Sequence, residues 1–350
     1  VLIVEPSLWA QPDAARQLLG GECTPAVVRA IEAGGLGAPQ AEALWAQIEA
    51  AGLADALLDE AEGGAGLGLS QLFGVLEQAG AHALPLPLGD TLLARALLAQ
   101  AGMARPAGAI ALASGERTQD GGLRCPLVRG GRVAASVLVQ AGDGWHLLAV
   151  QAAQTTPQAL ALDAAFAWSP SQMLAAPVVP VAQGLDARTL QAALLAPQMA
   201  GALMHVFQRT LQYANERQQF GRPIGKFQAI QHQLAVMSEH VFAARMAAQL
   251  GCSGAGLAAD RLPDRLRVAT AKARCSEAAL VVSELAHAIH GAIGFTAEYD
   301  LQLYTRRLHA WRQSAGSESY WHDVAGAALL AHQGLTLDMV RRITDVETAH

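Results

Sequence analysis

The sequence predicts an α+β protein with a helical N-terminal domain, a small middle β-domain and a C-terminal four-helix bundle. Alanine-rich stretches with apolar residues three and four apart, a spacing typical of helices, occupy both ends of the chain. Between them, short β-type runs alternate with turns of Gly and Asp. We expect three domains, over residues 1–104, 105–185 and 186–350.

Helix start signals support the N-terminal domain. Thr24 followed by Pro25 begins one helix, since Thr is a good N-cap and Pro suits the first helical position. A further helix is expected over residues 41–52. After an extended connector at residues 84–89, either Asp90 or Thr91 is expected to cap the next helix.

The middle segment is predicted to be a small antiparallel sheet or barrel. Its β-type runs occupy residues 109–113, 123–128, 133–141 and 145–152. Turns rich in Gly and Asp separate these runs, as expected of short connected strands.

The C-terminal half is predicted to be an up-down helical bundle. Apolar residues recur at helical spacing over about 188–218, 227–252, 262–290 and 298–313, with a fifth helix across 318–335. Short connections between long helices favour a bundle. The closing segment 339–350 is expected to be a frayed tail.

Composition excludes several classes of function. The net charge of -6 leaves no basic footprint for nucleic acid. The four cysteines lack the spacing of a metal site, and we expect no bound metal. No signal peptide is visible. The sequence has no uninterrupted run of 18 apolar residues, so we expect no membrane span. We therefore expect a cytoplasmic protein.

One stretch, ERQQFGRPIGKFQAIQHQLAVM at 216–237, combines a helix end, a tight turn and a helix start. Pro223 fixes the turn, and three cations, Arg217, Arg222 and Lys226, surround the N-terminus of the following helix. Free N–H groups at such a terminus favour anions. The pattern is open to two interpretations, a phosphate or pyrophosphate site and a solvated turn with ordinary surface charges.

This stretch resembles the signature of the acyl-CoA dehydrogenase family. AIHGAIGFTAEYDLQLYTRR at 288–307 resembles the family's second C-terminal signature, and residues 57–80 resemble its helical entry segment. The resemblance implies the three-domain fold predicted above. It also implies oxidation of an acyl-CoA thioester to the 2,3-enoyl form with FAD, and an electron-transfer flavoprotein as acceptor.

The resemblance assigns cofactor-binding residues. In the family, the signature Arg and Phe and a Gln in the following helix bind the FAD of a neighbouring subunit; the matching residues are Arg217, Phe220 and Gln228. Gly291 belongs to the second signature, and Ser317 is a further candidate to hydrogen-bond the cofactor.

The chain departs from the family pattern where the chemistry is done. The second signature usually reads Gln-x-x-Gly-Gly, whereas Ala288 and Ala292 stand at its first and last positions. The family's carboxylate base corresponds to Ala315, and its alternative location to Gln191, neither of which can accept the proton. Glu318, just beyond Ala315, is the candidate for a relocated base.

The middle segment departs as well, because it lacks the family's Thr-Glu-Pro and Trp-Ile-Thr motifs and is short between Glu116 and Arg129. The leading hypothesis is a subunit of a hetero-oligomer that completes the FAD site of a second acyl-CoA dehydrogenase-like subunit. One alternative is an active homo-oligomer with a relocated base. The other is a non-catalytic scaffold that has lost the flavin.

Overall fold

The computed structural model describes residues 7–142, 144–253 and 263–344. The chain divides into two compact units. The first unit comprises Val1–Leu72 and Leu84–Gln191, and the second comprises Phe73–Ala83 and Ala192–His350. The predicted boundaries at residues 104 and 185 stay a prediction.

The N-terminal region is helical, as predicted. Its helices are α1 (Ser7–Glu22), α2 (Pro25–Gly34), α3 (Pro39–Ala50), α4 (Leu69–Ala81) and α5 (Leu88–Gln100). The start of α2 is confirmed, since the side chain of Thr24 accepts a hydrogen bond from the Val27 amide and Pro25 opens the helix.

A seven-stranded sheet follows these helices. Its strands are β1 (Ile110–Arg117), β2 (Leu123–Val128), β3 (Ser136–Ala141), β4 (Gly144–Ala149), β5 (Gln154–Pro157), β6 (Ala164–Trp168) and β7 (Val178–Val179), with helix α6 (Pro170–Ala175) between β6 and β7. The strand order is β5-β6-β2-β1-β3-β4-β7. The four predicted runs are confirmed as strands, while β5, β6 and β7 were not predicted.

The prediction of a purely antiparallel sheet is wrong. Strands β1 and β3 pair in parallel, with Ile110 opposite Ser136, and every other pair in this sheet is antiparallel. The parallel pair forms because β2 leaves β1 as a hairpin and the chain then crosses to the other side of β1. One cluster on the sheet, which includes Val137, Val139 and Phe166, is fully or almost fully buried.

The expected capping role of Asp90 and Thr91 is also wrong. Both residues lie inside α5 and join it to β1. The Thr91 hydroxyl accepts a hydrogen bond from the Ile110 amide at 2.9 Å. One Asp90 carboxylate oxygen accepts from the Leu112 amide at 3.2 Å, and the other from the Arg129 guanidinium at 2.9 Å. Burial raises the pKa of Asp90, although Arg129 opposes the shift.

The C-terminal region contains helices close to the predicted bounds. They are α7 (Ala187–Glu216), α8 (Gln228–Gly251), α9 (Arg265–His290), α10 (Leu301–Gln313), α11 (Glu318–Ala331) and α12 (Thr336–Thr344). A short hairpin of β8 (Gln218–Gln219) and β9 (Arg222–Pro223) connects α7 to α8. The predicted start of α9 at residue 262 lies outside the described residues.

The closing segment is ordered further than expected. Residues 339–344 belong to α12, and the Arg267 side chain of α9 donates to the Arg342 carbonyl oxygen at 3.1 Å. The prediction of a frayed tail is therefore wrong for these residues, and residues 345–350 lie outside the described part of the chain.

Two long helices pass a composition test for membrane spans. They cover Ala187–Glu216 and Arg265–Phe295, and the buried shares of their most apolar windows are 72% and 44%. Core helices of globular proteins pass the same test, so the result is only a weak indication of a span. The absence of a membrane span stays a prediction.

Candidate functional site

The turn between α7 and α8 presents an aromatic side chain to solvent. Phe220 and Gly221 are the two turn residues of the β8–β9 hairpin, and both have positive φ, 51° and 79°. Two-residue hairpins with the favoured twist need such values. They suit Gly221 but strain Phe220, whose side chain is 90% exposed. Strain of this kind is often retained at functional positions.

This turn forms one wall of a cleft of about 420 Å³ within the second unit. Other walls come from the end of α7, the start of α8 and the end of α9. The lining residues are Tyr213, Arg217, Gln219, Phe220, Ile224, Phe227, Ile230, Ala288, Ile289, His290 and Gly291. The structure thus brings together Arg217, Phe220 and Gly291, three of the predicted cofactor-binding residues.

The residue that follows α7 supplies the cation of the cleft. Arg217 is exposed, and its guanidinium makes no hydrogen bond or ion pair with the other described residues. The N-terminus of α8 lies beside it, and no side chain caps that helix. Uncapped N–H groups and a guanidinium with two parallel donors suit a phosphate or pyrophosphate group.

Aromatic rings line the cleft, and one of them, Tyr213, was not among the predicted site residues. Tyr213 lies in the last turn of α7, four residues before Arg217, and its ring stacks on His290 with 4.3 Å between ring centroids. The His290 Nδ1 donates to the Ala286 carbonyl oxygen at 2.8 Å, and its Nε2 lies 3.2 Å from the Tyr299 hydroxyl. Burial lowers the pKa of His290, so the ring is neutral near pH 7.

Gly291 ends α9 at the edge of the cleft. Its φ is 63°, a value that glycine adopts without strain, and its amide donates to the His287 carbonyl oxygen. Ala288, at the position of the missing Gln, also lines the cleft. It places a methyl group where the family pattern has an amide.

Two predicted cofactor-binding residues lie outside the cleft lining. Gln228 is exposed at the first position of α8, next to the lining residue Phe227. Ser317 is the N-cap of α11, where its hydroxyl oxygen accepts a hydrogen bond from the Tyr320 amide. Within the second unit, Ser317 therefore belongs to a different feature, the loop between α10 and α11.

That loop, Ser314–Ser317, contains Ala315, which the resemblance matches to the family's carboxylate base. Ala315 has a φ of 55°, and its carbonyl oxygen accepts a hydrogen bond from the Trp321 indole at 2.9 Å. The Ala315 side chain packs against an apolar cluster formed by Ala192, Ala193, Val268, Ala269, Ala273 and Trp321. This neighbourhood contains no proton acceptor among these side chains.

The alternative base position is also inert. The Gln191 side-chain amide is neutral, and its Nε2 donates to the Leu112 carbonyl oxygen at 2.7 Å. The hydrogen bond commits the side chain to the first strand of the sheet, so Gln191 has a structural role in the first unit.

Glu318 follows the loop at the start of α11, where it pairs with Arg312. The Arg312 Nε donates to one carboxylate oxygen at 3.1 Å, and Nη2 contacts the other. Burial works to raise the pKa of Glu318, but the hydrogen bonds from Arg312 and from its own backbone outweigh burial and lower the pKa. A proton-abstracting carboxylate needs the opposite shift.

Comparison with known proteins identifies the family. A model of the acyl-CoA dehydrogenase C-terminal domain matches residues 187–330. Acyl-CoA dehydrogenase IpdE2 of Mycobacterium tuberculosis is 30% identical over 301 residues, which cover 85% of this chain and 89% of the relative. The chain belongs to the acyl-CoA dehydrogenase family. Acyl-CoA dehydrogenase FadE34 of the same organism is 30% identical over 329 residues, 88% of this chain and 45% of the relative.

Solved acyl-CoA dehydrogenase structures confirm the predicted fold. A variant of the steroid ACAD Tcur3481-Tcur3483 superposes with a TM-score of 0.76 at 26% identity, covering 92% of this chain and 97% of that chain. A chain of the ChsE4-ChsE5 complex from Mycobacterium tuberculosis superposes with a TM-score of 0.75 at 19% identity, covering 95% and 99%. The latter identity is low enough that the likeness concerns the fold alone.

Proposed function

We propose that this chain is the non-base subunit of a hetero-oligomeric acyl-CoA dehydrogenase. In this role, it completes the FAD site of a partner subunit that carries the base, and the complex performs α,β-dehydrogenation of an acyl-CoA thioester. One observation carries the proposal. The predicted cofactor-binding residues around Arg217 line a cleft, whereas the two positions of the family's base are occupied by Ala315 and Gln191.

The chemistry of the cleft fits the nucleotide end of FAD. The exposed Arg217 guanidinium and the open N-terminus of α8 suit the pyrophosphate. Tyr213, Phe220 and Phe227 offer aromatic surface to a planar base. When bound, FAD supplies the hydride acceptor, and this chain's own residues bind and orient it.

The missing base supports a division of labour. Removal of the α-proton needs a carboxylate in a dry site, where desolvation raises its pKa. Ala315 packs against an apolar cluster, which is a dry environment of this kind, but it has no titratable group. Glu318 has a carboxylate, but that carboxylate is hydrogen-bonded by Arg312. A partner subunit is therefore the proposed source of the base.

The relatives support the choice of assembly and substrate class. The structural neighbours include the ChsE4-ChsE5 complex and a steroid ACAD whose name joins two proteins. We propose an acyl-CoA thioester from fatty-acid or steroid side-chain degradation as substrate, and an electron-transfer flavoprotein as acceptor. We propose a cytoplasmic location without a membrane span.

The test compares the visible spectrum of the protein purified alone with that of the complex co-expressed with the acyl-CoA dehydrogenase-like chain encoded nearest to it. Flavin bands in the complex alone are expected. Flavin in the lone protein would favour a homo-oligomer, and flavin in neither would favour a scaffold.

A matched pair of variants then tests the cleft. Arg217→Gln should weaken FAD binding to the complex by about thirtyfold, the equivalent of ~2 kcal/mol for a lost charged hydrogen-bonding group. Arg306→Gln removes the same charge from an exposed position of α10 and should leave binding unchanged. Equal effects of the two variants on FAD affinity, measured by titration of the apo-complex, would contradict the assignment of Arg217.

A further inference from the structure

The chain has two lysines, and they lie in opposite environments. Lys272 lies in α9 with no exposed surface, and its ammonium donates to the Ser276 hydroxyl at 2.9 Å and to two backbone carbonyl oxygens. Lys226 is exposed at the end of the short turn Ile224–Lys226, directly before α8. Its ammonium makes no hydrogen bond or ion pair with the other described residues. One lysine amine is therefore open to reagents in solution.

The thiols, which would compete with an amine for an electrophile, are all buried. This holds for each of the four cysteines, which are Cys23, Cys125, Cys252 and Cys275. Burial raises the pKa of Cys125 and of Cys275 to about 12, so both stay protonated and unreactive near pH 7. The structure describes every lysine and cysteine of the chain, and Lys226 is the exposed nucleophile among them.

Lys226 lies beside the cleft of the second unit without lining it. Its neighbours Ile224 and Phe227 both line the cleft. The Ile224 amide donates to the Arg217 carbonyl oxygen at 2.8 Å, which holds the turn against the end of α7. The charge of Lys226 is therefore fixed near the cleft and next to the N-terminus of α8, which no side chain caps.

The surface around Lys226 favours a polyanionic reagent. Arg217 and Arg222 are exposed in the same segment, as is Lys226. The acidic residue of this segment, Glu216, accepts a hydrogen bond from Gln212 at 2.7 Å. Three cations against one carboxylate attract phosphate groups. An acyl-CoA thioester carries such groups on its CoA part, and its carbonyl carbon is an electrophile for amines.

We propose that Lys226 is an acylation site, at which an acyl-CoA thioester transfers its acyl group to the lysine Nζ. The neutral amine attacks the thioester carbonyl carbon, a C–N amide bond forms and the C–S bond breaks. CoA leaves as the thiolate and takes up the proton that the nitrogen loses, so the step needs no oxidant or reductant. The product is a neutral amide, and the surface beside the cleft loses one positive charge.

Acylation of Lys226 lowers the affinity of the cleft for the pyrophosphate of FAD. One exposed cation next to a helix N-terminus contributes modestly to anion binding, so the expected loss is about threefold. This consequence rests on the proposed function, because it requires that the cleft takes part in a FAD site. The acylation itself is measured on the lone chain and does not depend on FAD.

The first experiment incubates the folded full-length chain with acetyl-CoA, which has no β-carbon and so cannot be dehydrogenated. Peptide mapping by mass spectrometry should show acetylation of Lys226 about tenfold faster than that of free Nα-acetyllysine amide, because the cations concentrate the donor. The thioester S-acetyl-N-acetylcysteamine has no phosphates and should show no such preference. Lys272 should be modified only after urea unfolds the chain.

The second experiment measures FAD affinity of the co-expressed complex by titration of its apo form. Lys226→Gln carries a neutral amide, as acyl-lysine does, and should weaken binding by about threefold. Lys226→Arg keeps the charge but offers no amine for the thioester, and should bind like the wild type. Treatment with acetyl-CoA should weaken FAD binding by the wild type and leave Lys226→Arg unaffected.

Three results would overturn the inference. They are acetylation of Lys226 no faster than that of the free amine, equal preference for Lys226 with both donors, and unchanged FAD affinity after complete acetylation. A wild-type complex that takes up no FAD would refute the proposed function instead. The two failures are distinguishable, because the acetylation rates of the lone chain are measured without cofactor or partner.

Discussion

At the scale of single residues, Ala315 and Glu318 occupy neighbouring positions but have different surroundings. Ala315 packs on apolar side chains, the environment that would raise the pKa of a carboxylate. Glu318 sits at the start of α11, paired with Arg312, which favours the charged form. The site that would make a strong base has no carboxylate, and the carboxylate that is present is held as an ion.

Replacement of Glu318 by Gln should therefore leave turnover of the complex intact. The hypothesis of a homo-oligomer with a relocated base predicts instead that the same replacement abolishes turnover. The change should lower the free energy of unfolding at neutral pH by about 1 kcal/mol, since the pair is partly buried. Glu318 has a lowered pKa in the folded state, so its contribution is present above its ordinary value of 4.5 and is lost as the pH falls through the lowered pKa.

The measurement is urea unfolding of the wild-type protein and the Glu318→Gln variant between neutral and acidic pH, together with turnover of the complex. Glu239→Gln, at an exposed position of α8, serves as the matched control and should change neither the stability nor the turnover. Loss of turnover in Glu318→Gln alone would revive the relocated base.

The sequence predicted some of these residues and could not have predicted others. Arg217, Phe220 and Gly291 lie in two signatures, so resemblance was sufficient to select them, and the cleft brings them together. Lys272 is a lone lysine in an alanine-rich helix, and its partners are a nearby serine and two carbonyl oxygens about forty residues away. Backbone acceptors leave no trace in side-chain patterns, so the burial of Lys272 required the folded structure.

At the scale of elements, helices α4 and α7 approach each other closely within the second unit. A Cβ added to Gly201 would overlap the Glu77 carbonyl oxygen, and one added to Gly80 would overlap the Gln198 carbonyl oxygen. Helix α4 also contacts α8, through an ion pair in which Arg245 of α8 donates to Glu77 of α4 at 2.5 Å. Glycines inside helices normally weaken them, so these two are explained by the packing they permit.

Gly201→Ala should destabilise the protein by ~3 kcal/mol or more, because backbone must move to admit the methyl group. Gly326→Ala is the matched control in helix α11, where an added Cβ meets nothing within 4 Å. The control should raise stability by about 0.5–1 kcal/mol through the higher helix propensity of alanine. Thermal unfolding by calorimetry measures the change in stability caused by each variant. Equal changes in Gly201→Ala and Gly326→Ala would contradict the packing argument.

Sheet topology shows why elements were predicted better than their pairing. Strand β5 is exposed throughout and has no apolar alternation, so it gave no signal in the sequence. The parallel pairing of β1 with β3 depends on a crossover between strands whose individual patterns are equally compatible with a meander. Periodicity identifies a strand, but its neighbours are chosen by the packing of the whole sheet.

At the scale of the whole molecule, the exposed turn at Phe220 favours an assembly. A phenylalanine that is 90% exposed and has a positive φ contributes little to the stability of the isolated chain. The cleft beside it is open and carries a cation without an ionic partner among the described residues. Both features gain a purpose if a partner subunit and its cofactor cover this surface.

The proposed division of labour fixes the number of cofactors in such an assembly. If this chain contributes its cleft to the partner's FAD and does not bind a flavin ring of its own, a complex with equal numbers of both subunits should hold half as many FAD molecules as chains. The ratio follows from the absorbance of released flavin, the protein concentration and the mass of the complex by light scattering. As many FAD molecules as chains would mean that this chain also forms a complete site, and the homo-oligomer would become the better hypothesis.

The same measurement can locate the contact, because Phe220 and Phe242 are both exposed but lie in different places. Phe220→Ala should lower the FAD content of the complex without lowering the stability of the lone chain, since the ring is 90% exposed there and lines the cleft. Phe242→Ala removes a ring that is 53% exposed on α8 and packs edge-on against Phe207, outside the cleft lining. It should leave the FAD content unchanged, because the proposed cofactor contact is made by the turn and by Arg217, and not by this part of α8. A loss of FAD in Phe242→Ala but not in Phe220→Ala would place the cofactor contact on the α8 surface instead.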